Sequence, residues 1–212
     1  MPANTTHGFP YPLPTEPVAQ GAQAIQNLAA AVDPVTFRPA VTSLPASPVD
    51  GQIAYFLASA TAGVIWQLRY RAASTSSWKW EFCGGGVFQS ESLTDEAITS
   101  DGVYHDSPTP GPSLTVPLAG DYEVEFTFDA YTLGAASQSM GTVGLSVAAA
   151  APFAYAQSLM GWSGTVGAGA TGRAIALNVA AATVLKLVYK FPNGAAGHVR
   201  ERKLAIRPVR VG

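Results

Sequence analysis

Cysteine is almost missing from this sequence, since the 212 residues include only one, Cys83. A single cysteine excludes an intrachain disulfide and a cysteine-rich metal site, and we expect Cys83 to be a small buried side chain. Charge is also scarce: Asp, Glu, Lys and Arg make up 12% of the residues, about half the usual share, while apolar residues make up 48%. A chain with so few charged side chains is expected to hide surface against partner subunits.

Long apolar runs are missing as well. No stretch approaches the ~18 residues of a membrane-spanning helix. The N-terminus MPANTTHGFPYPLPTEP has neither the basic nor the apolar region of a signal peptide. The sequence therefore predicts a protein that is made in the cytoplasm and is not inserted into a membrane.

The few charges are separated by sign along the chain. Residues 1–129 carry 4 basic and 13 acidic side chains, whereas residues 130–212 carry 8 basic and 1 acidic. The basic side chains are spread out and not clustered with stacking aromatics, so no nucleic-acid partner is predicted. We expect the two regions to pair with each other, within one subunit or between subunits.

Residues 1–33 are predicted to form an extended anchoring arm followed by a short oligomerising helix. Four prolines in residues 1–14 oppose helix formation, Thr15 is a suitable N-cap, and Asp33-Pro34 is expected to end the helix. A helix of this length is marginal in isolation, so it docks on its own domain or on other copies of itself. If the helix docks on other copies, its apolar stripe forms the oligomer interface. This stripe comprises Val18, Ala22, Ile25, Leu28, Ala29 and Val32.

Residues 34–88 are predicted to form a β-rich neck. A proline-containing linker precedes the stretches GQIAYFLA, GVIWQLRY and SSWKWEF, which have the spacing of an antiparallel meander. Pairing of Tyr70 with Trp78 would place Trp66, Trp78 and Trp80 on one face. Three alternatives could cover that face: the core of a small domain, another subunit or a ligand. If another subunit covers it, the three tryptophans belong to the oligomer interface. The glycines of CGGG, after the meander, are predicted to be a hinge.

Residues 89–212 are predicted to form a β-sandwich with a jelly-roll-like topology. Apolar and polar residues alternate in GDYEVEFTFDAY, as expected for a half-buried strand. Turn signals, one of them at residues 161–172, separate further short alternations, and no second helix is indicated. The other alternating sets are Leu114, Val116 and Leu118; Val143, Leu145 and Val147; Ile175, Leu177 and Val179; Leu185, Leu187 and Tyr189; and Leu204 and Ile206. The fold class is thus mainly β.

Motifs for catalysis or cofactor binding are absent or out of context. GAGATG at residues 167–172 matches the dinucleotide fingerprint GxGxxG, but a strand pattern follows it where that motif requires a helix. GWSGT lacks the GxSxG spacing of a nucleophile elbow, and the acidic run at residues 95–106 lacks the spacing of an EF-hand. We therefore predict no cofactor, no metal and no catalytic residue. The enzyme alternative is a polysaccharide-degrading one, which would use two of the carboxylates of Asp121, Glu123, Glu125 and Asp129.

Aromatic residues in loops or at strand ends are candidates for contact with a glycan on a host surface. Sugars stack on exposed aromatic rings, whereas the simpler interpretation is packing at the rim of the sandwich. These residues are Tyr104, Tyr131, Tyr155 and Trp162.

The order of these segments resembles structural proteins of tailed bacteriophages. The similarity is strongest in PASPVDGQIAYFLASATAGVIWQLRYRAASTSSWKWEFCGG and SLTVPLAGDYEVEFTF, between the Ala-rich helix and the ending RERKLAIRPVRV. The proteins that it resembles are the minor tail or fibre proteins common in phages of high-GC hosts. The resemblance implies a non-enzymatic, fibre-like homotrimer on the virion surface.

In such a particle, residues 1–33 would attach to another virion protein and the β knob would contact the host surface. A capsid head fibre or decoration protein with a purely structural role is the alternative. The resemblance transfers no catalytic residue to this chain.

Overall fold

The computed structural model describes residues 3–4, 10–11, 21–36, 38–133, 140–147, 154–159, 168–193 and 196–212. The predictions that concern Thr15, Val18 and Trp162 lie outside these residues. The chain divides into two compact units, Met1–Val41 and Thr42–Gly212.

Within its described residues, the first unit contains two short strands and one helix. β1 (Ala3–Asn4) pairs antiparallel with β2 (Pro10–Tyr11), and α1 spans Gly21–Thr36. The predicted end of the helix at Asp33-Pro34 is wrong, because α1 continues to Thr36. Pro34 lacks the N–H that would bond one turn back, but it lies in the last turn, where a single missing bond is tolerated and the helix ends two residues later.

The second unit consists of twelve strands within its described residues, and this confirms the prediction of a mainly β fold. The strands are β3 (Ile53–Ser59), β4 (Val64–Tyr70), β5 (Trp80–Gly85), β6 (Phe88–Ser92), β7 (Glu96–Ile98), β8 (Ser113–Thr115), β9 (Gly120–Leu133), β10 (Met140–Val147), β11 (Ala154–Leu159), β12 (Ala168–Val179), β13 (Val184–Lys190) and β14 (Ala196–Val211).

These strands form two antiparallel sheets. The large sheet has the order β12-β9-β14-β5-β4-β3, with β6 and β7 also paired to β14, and the small sheet has the order β11-β10-β13-β8. β11 lies close to β12 and β8 lies close to β6, so the edges of the two sheets adjoin. One continuous hydrophobic core contains side chains of both sheets. This arrangement is a β-sandwich.

The core confirms the alternating patterns along the central strands. Tyr122, Val124, Phe126 and Phe128 of β9 are buried, while the acidic residues between them lie on the outer face of the large sheet. The corresponding buried residues of the other strands are Leu114 and Val116 near β8; Leu185, Leu187 and Tyr189 in β13; and Leu204 and Ile206 in β14. A period of two therefore predicted the buried face of these strands correctly.

The aromatic meander is a continuation of the large sheet. Tyr70 pairs with Trp80, not with Trp78, and their ring centroids are 5.4 Å apart in an edge-on arrangement. β5 in turn pairs with the end of β14, where Val211 lies opposite Trp80. The structure thus differs from the predicted division at residue 88, because hydrogen bonds join the neck strands to the C-terminal strand within the unit Thr42–Gly212.

Both glycine-rich stretches that were interpreted as a hinge or a turn contribute to strands. Cys83–Gly85 closes β5, and Ala168–Gly172 opens β12. Gly85 has φ +122°, and a Cβ built on it would lie 2.2 Å from the carbonyl oxygen of Ile65. This glycine therefore allows a close approach of two strands, which a sequence pattern does not distinguish from flexibility.

β12 contains a bulge that divides its apolar alternation between two faces. Its pairing with β9 shifts between Ala176 and Val179, and Asn178 adopts φ +53° while its N–H donates to Asp121 Oδ1 at 2.8 Å. Val179 is buried as a result, whereas Ile175 and Leu177 point outward. The alternation predicted the strand but not the face that it buries.

The prediction that the acidic and basic regions pair is confirmed within one subunit. The acidic outer face of β9 lies between basic side chains of β12 and β14, and further ion pairs join the same two regions elsewhere. The pairs are Arg173 and Arg207 with Glu123, Lys186 with Asp106, Arg200 with Asp129, Arg202 with Glu96, Lys203 with Glu91, and Arg210 with Glu81.

Candidate functional site

The predicted interface helix exposes its larger apolar side chains. Ile25 is 67% exposed, Leu28 38% and Val32 39%, and Ala22 and Ala29 beside them are exposed too. We call the described residues Ala22, Ile25, Leu28, Ala29 and Val32 the helix stripe. The remaining predicted member, Val18, lies outside the described residues.

The face of α1 that packs against its own chain bears small side chains. Ala24 is buried and Ala31 is half-buried, and α1 lies against β2. The apolar side chains that the helix covers here are thus alanines, while Ile25 stays in solvent. Burying an isoleucine gains more than burying an alanine, so the helix stripe has the composition of a surface that a further partner covers.

The tryptophans assigned to the same interface are mostly inside the chain. Trp66 is 0% and Trp80 4% exposed. Trp66 packs against Phe56 and Tyr122, with ring centroids 6.2 and 6.1 Å apart. These two tryptophans have no surface to offer a second copy, because the core between the two sheets already covers them. Trp78 precedes β5 and is half-buried.

Of the four aromatic residues proposed to contact a glycan, the structure describes two side chains. Tyr104 is half-buried in the segment between β7 and β8, and Lys190 Nζ lies 5.1 Å from its ring centroid. Tyr131 is 9% exposed near the end of β9. The side chain of Tyr155, which lies in β11, and that of Trp162 are not among the described ones.

Tyr131 is the centre of a polar cluster on the outer face of the large sheet. Its hydroxyl donates a hydrogen bond to Asp95, whose other oxygen lies 3.1 Å from His198 Nδ1. The Tyr131 and His198 rings stack with centroids 4.9 Å apart, and the Arg200 guanidinium lies 5.5 Å from the Tyr131 centroid. Arg200 Nε donates to Asp129 at 2.7 Å. The neighbouring side chains leave little of the Tyr131 ring for a sugar to stack on.

The hydrogen bond between Tyr131 and Asp95 shifts the pKa of both groups. Partial burial by itself would raise the pKa of Asp95, but the hydrogen bond from Tyr131 and the proximity of His198 outweigh it, so that pKa is lowered. The same hydrogen bond raises the pKa of Tyr131, because ionised tyrosine would lose the bond and face the carboxylate.

A second polar cluster lies inside the sandwich and surrounds Arg202 of β14, which is 0% exposed. Arg202 Nη1 lies 3.0 Å from Glu96 Oε2. Within the described part of the chain, neither this oxygen nor Arg202 Nε has a hydrogen-bond partner, so the contact is mainly electrostatic. The guanidinium also donates hydrogen bonds to Ser92, Thr94, Ser107 and Gly111.

Arg202 thus joins both ends of the segment from β6 to β8 to the C-terminal strand. A bulge in β14 between Arg200 and Lys203 turns Arg202 inward, and Glu201 within it has φ +49°. Sequence analysis missed this residue, because RERK has the composition of a solvated run. The one signal was the apolar alternation at Leu204 and Ile206, which places residue 202 on the buried face.

Three of the four carboxylates considered for an enzyme have partners within the sheet. Glu123 pairs with Arg173 and Arg207, Asp129 pairs with Arg200, and Asp121 accepts the hydrogen bond from the backbone of Asn178. Among the described side chains, no group of three or more His, Cys, Asp or Glu residues has the geometry to hold a metal ion.

Cys83 is exposed and free, so the prediction that it is buried is wrong. It lies near the end of β5, on the outer face of the large sheet, where Sγ is 3.7 Å from the carbonyl oxygen of Glu81. Across the residues that the structure describes, no helix has the length and apolar composition needed to cross a membrane.

Comparison with known proteins identifies no family and gives a weak structural similarity. No protein family model matches the sequence, and no curated protein matches it either. Among solved structures, the chain is similar to one titled "Structure of infectious bursal disease virus Gx strain", with 12% identity and a TM-score of 0.29. The match covers 83% of this chain and 54% of the viral chain, so this chain spans about half the length of the one it matches.

Proposed function

We propose that this chain is a non-enzymatic structural protein of a virus particle. It acts as a fibre-like homotrimer that is anchored through residues 1–33 to another virion protein and exposes its β-sandwich, which contacts the host surface. The proposal rests on the helix stripe, which leaves large apolar side chains in solvent, whereas the β-sandwich covers its own core. The likeness of segment order to phage tail and fibre proteins supports it.

The helix stripe suits association with identical helices. Ile25, Leu28 and Val32 follow one another at spacings of three and four residues, as in the seam of a coiled coil. The small residues Ala22 and Ala29 beside them permit close packing. Residues 21–32 contain no charged side chain, so copies of this segment meet without repulsion between like charges, and a partner recognised by charge has nothing to bind there.

The gain from this contact is modest. Covering the exposed fractions of Ile25, Leu28 and Val32 contributes about 3 kcal/mol for each copy. Association costs about 4–15 kcal/mol in lost translation and rotation. Three copies of the stripe therefore lie near the threshold for a stable trimer, and the equilibrium should respond strongly to a single substitution.

A charge placed in the stripe tests the proposal. Ile25→Glu buries an unpaired carboxylate in the contact and should convert trimers to monomers at micromolar concentration, as measured by light scattering. Gln23→Glu adds the same charge on the opposite, solvent-facing side of α1 and should leave the trimer intact. A monomeric unmodified chain, or equal loss of trimer in both variants, would refute the proposal.

Particle experiments test the place and role of the protein. Immunogold labelling of native particles should mark the tail, and soluble protein should compete with particles for adsorption to host cells. Gold on the capsid faces would support the head-fibre or decoration alternative, and release of sugars from purified host envelope would support an enzyme. Either result contradicts the proposed role in attachment.

A further inference from the structure

A second apolar surface lies on the sandwich, at the outermost strand of the large sheet. Ile175 and Leu177 of β12 are 61% and 66% exposed. They are two residues apart on one face, so their side chains stand about 7 Å from each other and form one patch. We call Ile175 and Leu177 the β12 patch.

β12 distributes its side chains by size in the same way as α1. Its buried face consists of small residues as far as Ala176, among them Gly172, and Val179 is buried beyond the bulge, while its solvent face bears Ile175 and Leu177. In a solitary sandwich the larger side chains gain more from the core. A strand with the reverse order has the composition of a surface that is covered in an assembly.

The charges around the β12 patch favour an identical copy as the partner. Identical copies bring like charges, which repel unless each is neutralised within its own chain. Arg173 is paired with Glu123 in the same chain, and Glu123 also contacts Arg207. In the strand pairing, Ile175 lies opposite Glu123 and Arg173 opposite Glu125, so the charges on this part of the sheet balance.

The apolar area of the helix stripe is smaller than the area that a stable interface buries, so a second contact is needed. A stable interface buries roughly 800 Å² on each partner. Three partly covered aliphatic side chains on one short helix supply much less, so the helix stripe needs help from another surface. The β12 patch provides apolar area on the other compact unit of the chain.

We propose that the β12 patch is a second contact between copies of this chain, in which the patch of one copy packs against the patches of its neighbours around the symmetry axis. This inference rests on the proposed homo-oligomer and deepens it. Association through two surfaces of each copy makes the two contacts mutually reinforcing, since the first raises the effective concentration for the second.

Cross-linking at the patch tests the second contact. Leu177→Cys in a Cys83→Ser background should give cross-linked dimers with a short bis-maleimide, since each copy then carries one thiol and each reagent joins two, in a yield that does not fall on dilution above the dissociation constant of the oligomer. Val184→Cys in the same background is the matched control. It is an exposed apolar residue on β13 of the small sheet, and it should give no dimers.

A charge substitution supplies an independent measure. Leu177→Glu should raise the dissociation constant of the oligomer about tenfold or more, because a carboxylate replaces an aliphatic side chain in the contact. The stability of the isolated sandwich should not change, since Leu177 lies in solvent there.

The outcomes separate the two proposals. A monomeric unmodified chain overturns both. An oligomer that Ile25→Glu dissociates, but that shows neither cross-links at residue 177 nor sensitivity to Leu177→Glu, overturns the second contact and leaves the helix contact standing. If Leu177→Glu instead abolishes incorporation into particles without affecting the oligomer, the occupant of the patch is another virion protein and the assignment to a second copy is wrong.

Discussion

Removing the negative charge of Glu96 should destabilise the sandwich far more than its small chemical change suggests. In Glu96→Gln, the amide oxygen can still accept the hydrogen bond from the backbone of Thr109, which measures 3.1 Å to Oε1. The charge that balances Arg202 is lost, however, and Arg202 is fully buried. Leaving one partner of a buried ion pair alone costs about 3–5 kcal/mol. The lower end, about 3 kcal/mol, applies here because Nη1 and Nη2 of the guanidinium keep their hydrogen bonds to Ser92, Thr94, Ser107 and Gly111.

The pH dependence of this loss follows from the pKa of Glu96. Burial by itself would raise that pKa, but the hydrogen bonds from Thr109 and the charge of Arg202 outweigh it and lower the pKa from the ordinary value of 4.5. A lowered folded-state pKa means that the contribution is present above pH 4.5 and is lost as the pH falls through the folded-state value. The stability difference between the native chain and Glu96→Gln should therefore shrink in acid.

Urea unfolding at neutral and acid pH measures both effects. Glu91→Gln is the matched control, because Glu91 pairs with Lys203, next to Arg202 in sequence, and both side chains are about half exposed; its effect should stay below about 1 kcal/mol. In a cycle with Arg202→Met, the double variant should show a coupling energy of about 1–3 kcal/mol. Equal effects of Glu96→Gln and Glu91→Gln, or a difference that does not vary with pH, would refute the reasoning.

Two further substitutions test local features of the sandwich. Tyr131→Phe removes the hydrogen bond to Asp95, so the pKa of Asp95 should rise toward its ordinary value, and NMR titration of the carboxyl measures it; an unchanged pKa would show that the bond does not form in solution. Gly85→Ala should cost about 3 kcal/mol or more in urea unfolding, because its Cβ would collide with the backbone of Ile65. The control Gly63→Ala, at φ +63° in open space, should cost about 1 kcal/mol.

Much of the fold could be predicted from the sequence, because the pattern that identifies a strand and its buried face involves only neighbouring residues. The alternation in GDYEVEFTFDAY identifies a strand and its buried face without knowledge of any other strand. The separation of acidic and basic residues along the chain likewise predicted the pairing seen between Glu123 of β9 and the arginines of β12 and β14.

The errors arise where the chain departs from regular geometry. The bulge in β12 changes which residues point inward, so Val179 is buried while Ile175 and Leu177 are not. A bulge inserts one extra residue into a strand, so the alternation of inward and outward side chains shifts by one at that point. Nothing in the local sequence pattern marks the position of a bulge. The same limit explains the hinge predicted at Gly85, where the need for glycine comes from another strand.

For the candidate sites, the low content of charged residues predicted that the chain needs partners. Apolar residues at spacings of three and four predicted the helix stripe. Which apolar surfaces remain uncovered depended on the whole sandwich. The sequence favoured Trp66 and Trp80 as interface residues as much as Ile25. The two sheets bury both tryptophans between them, whereas Ile25 is exposed on α1. Burial depends on contacts between residues far apart along the chain, and a pattern read over a few neighbouring residues contains no information about those contacts.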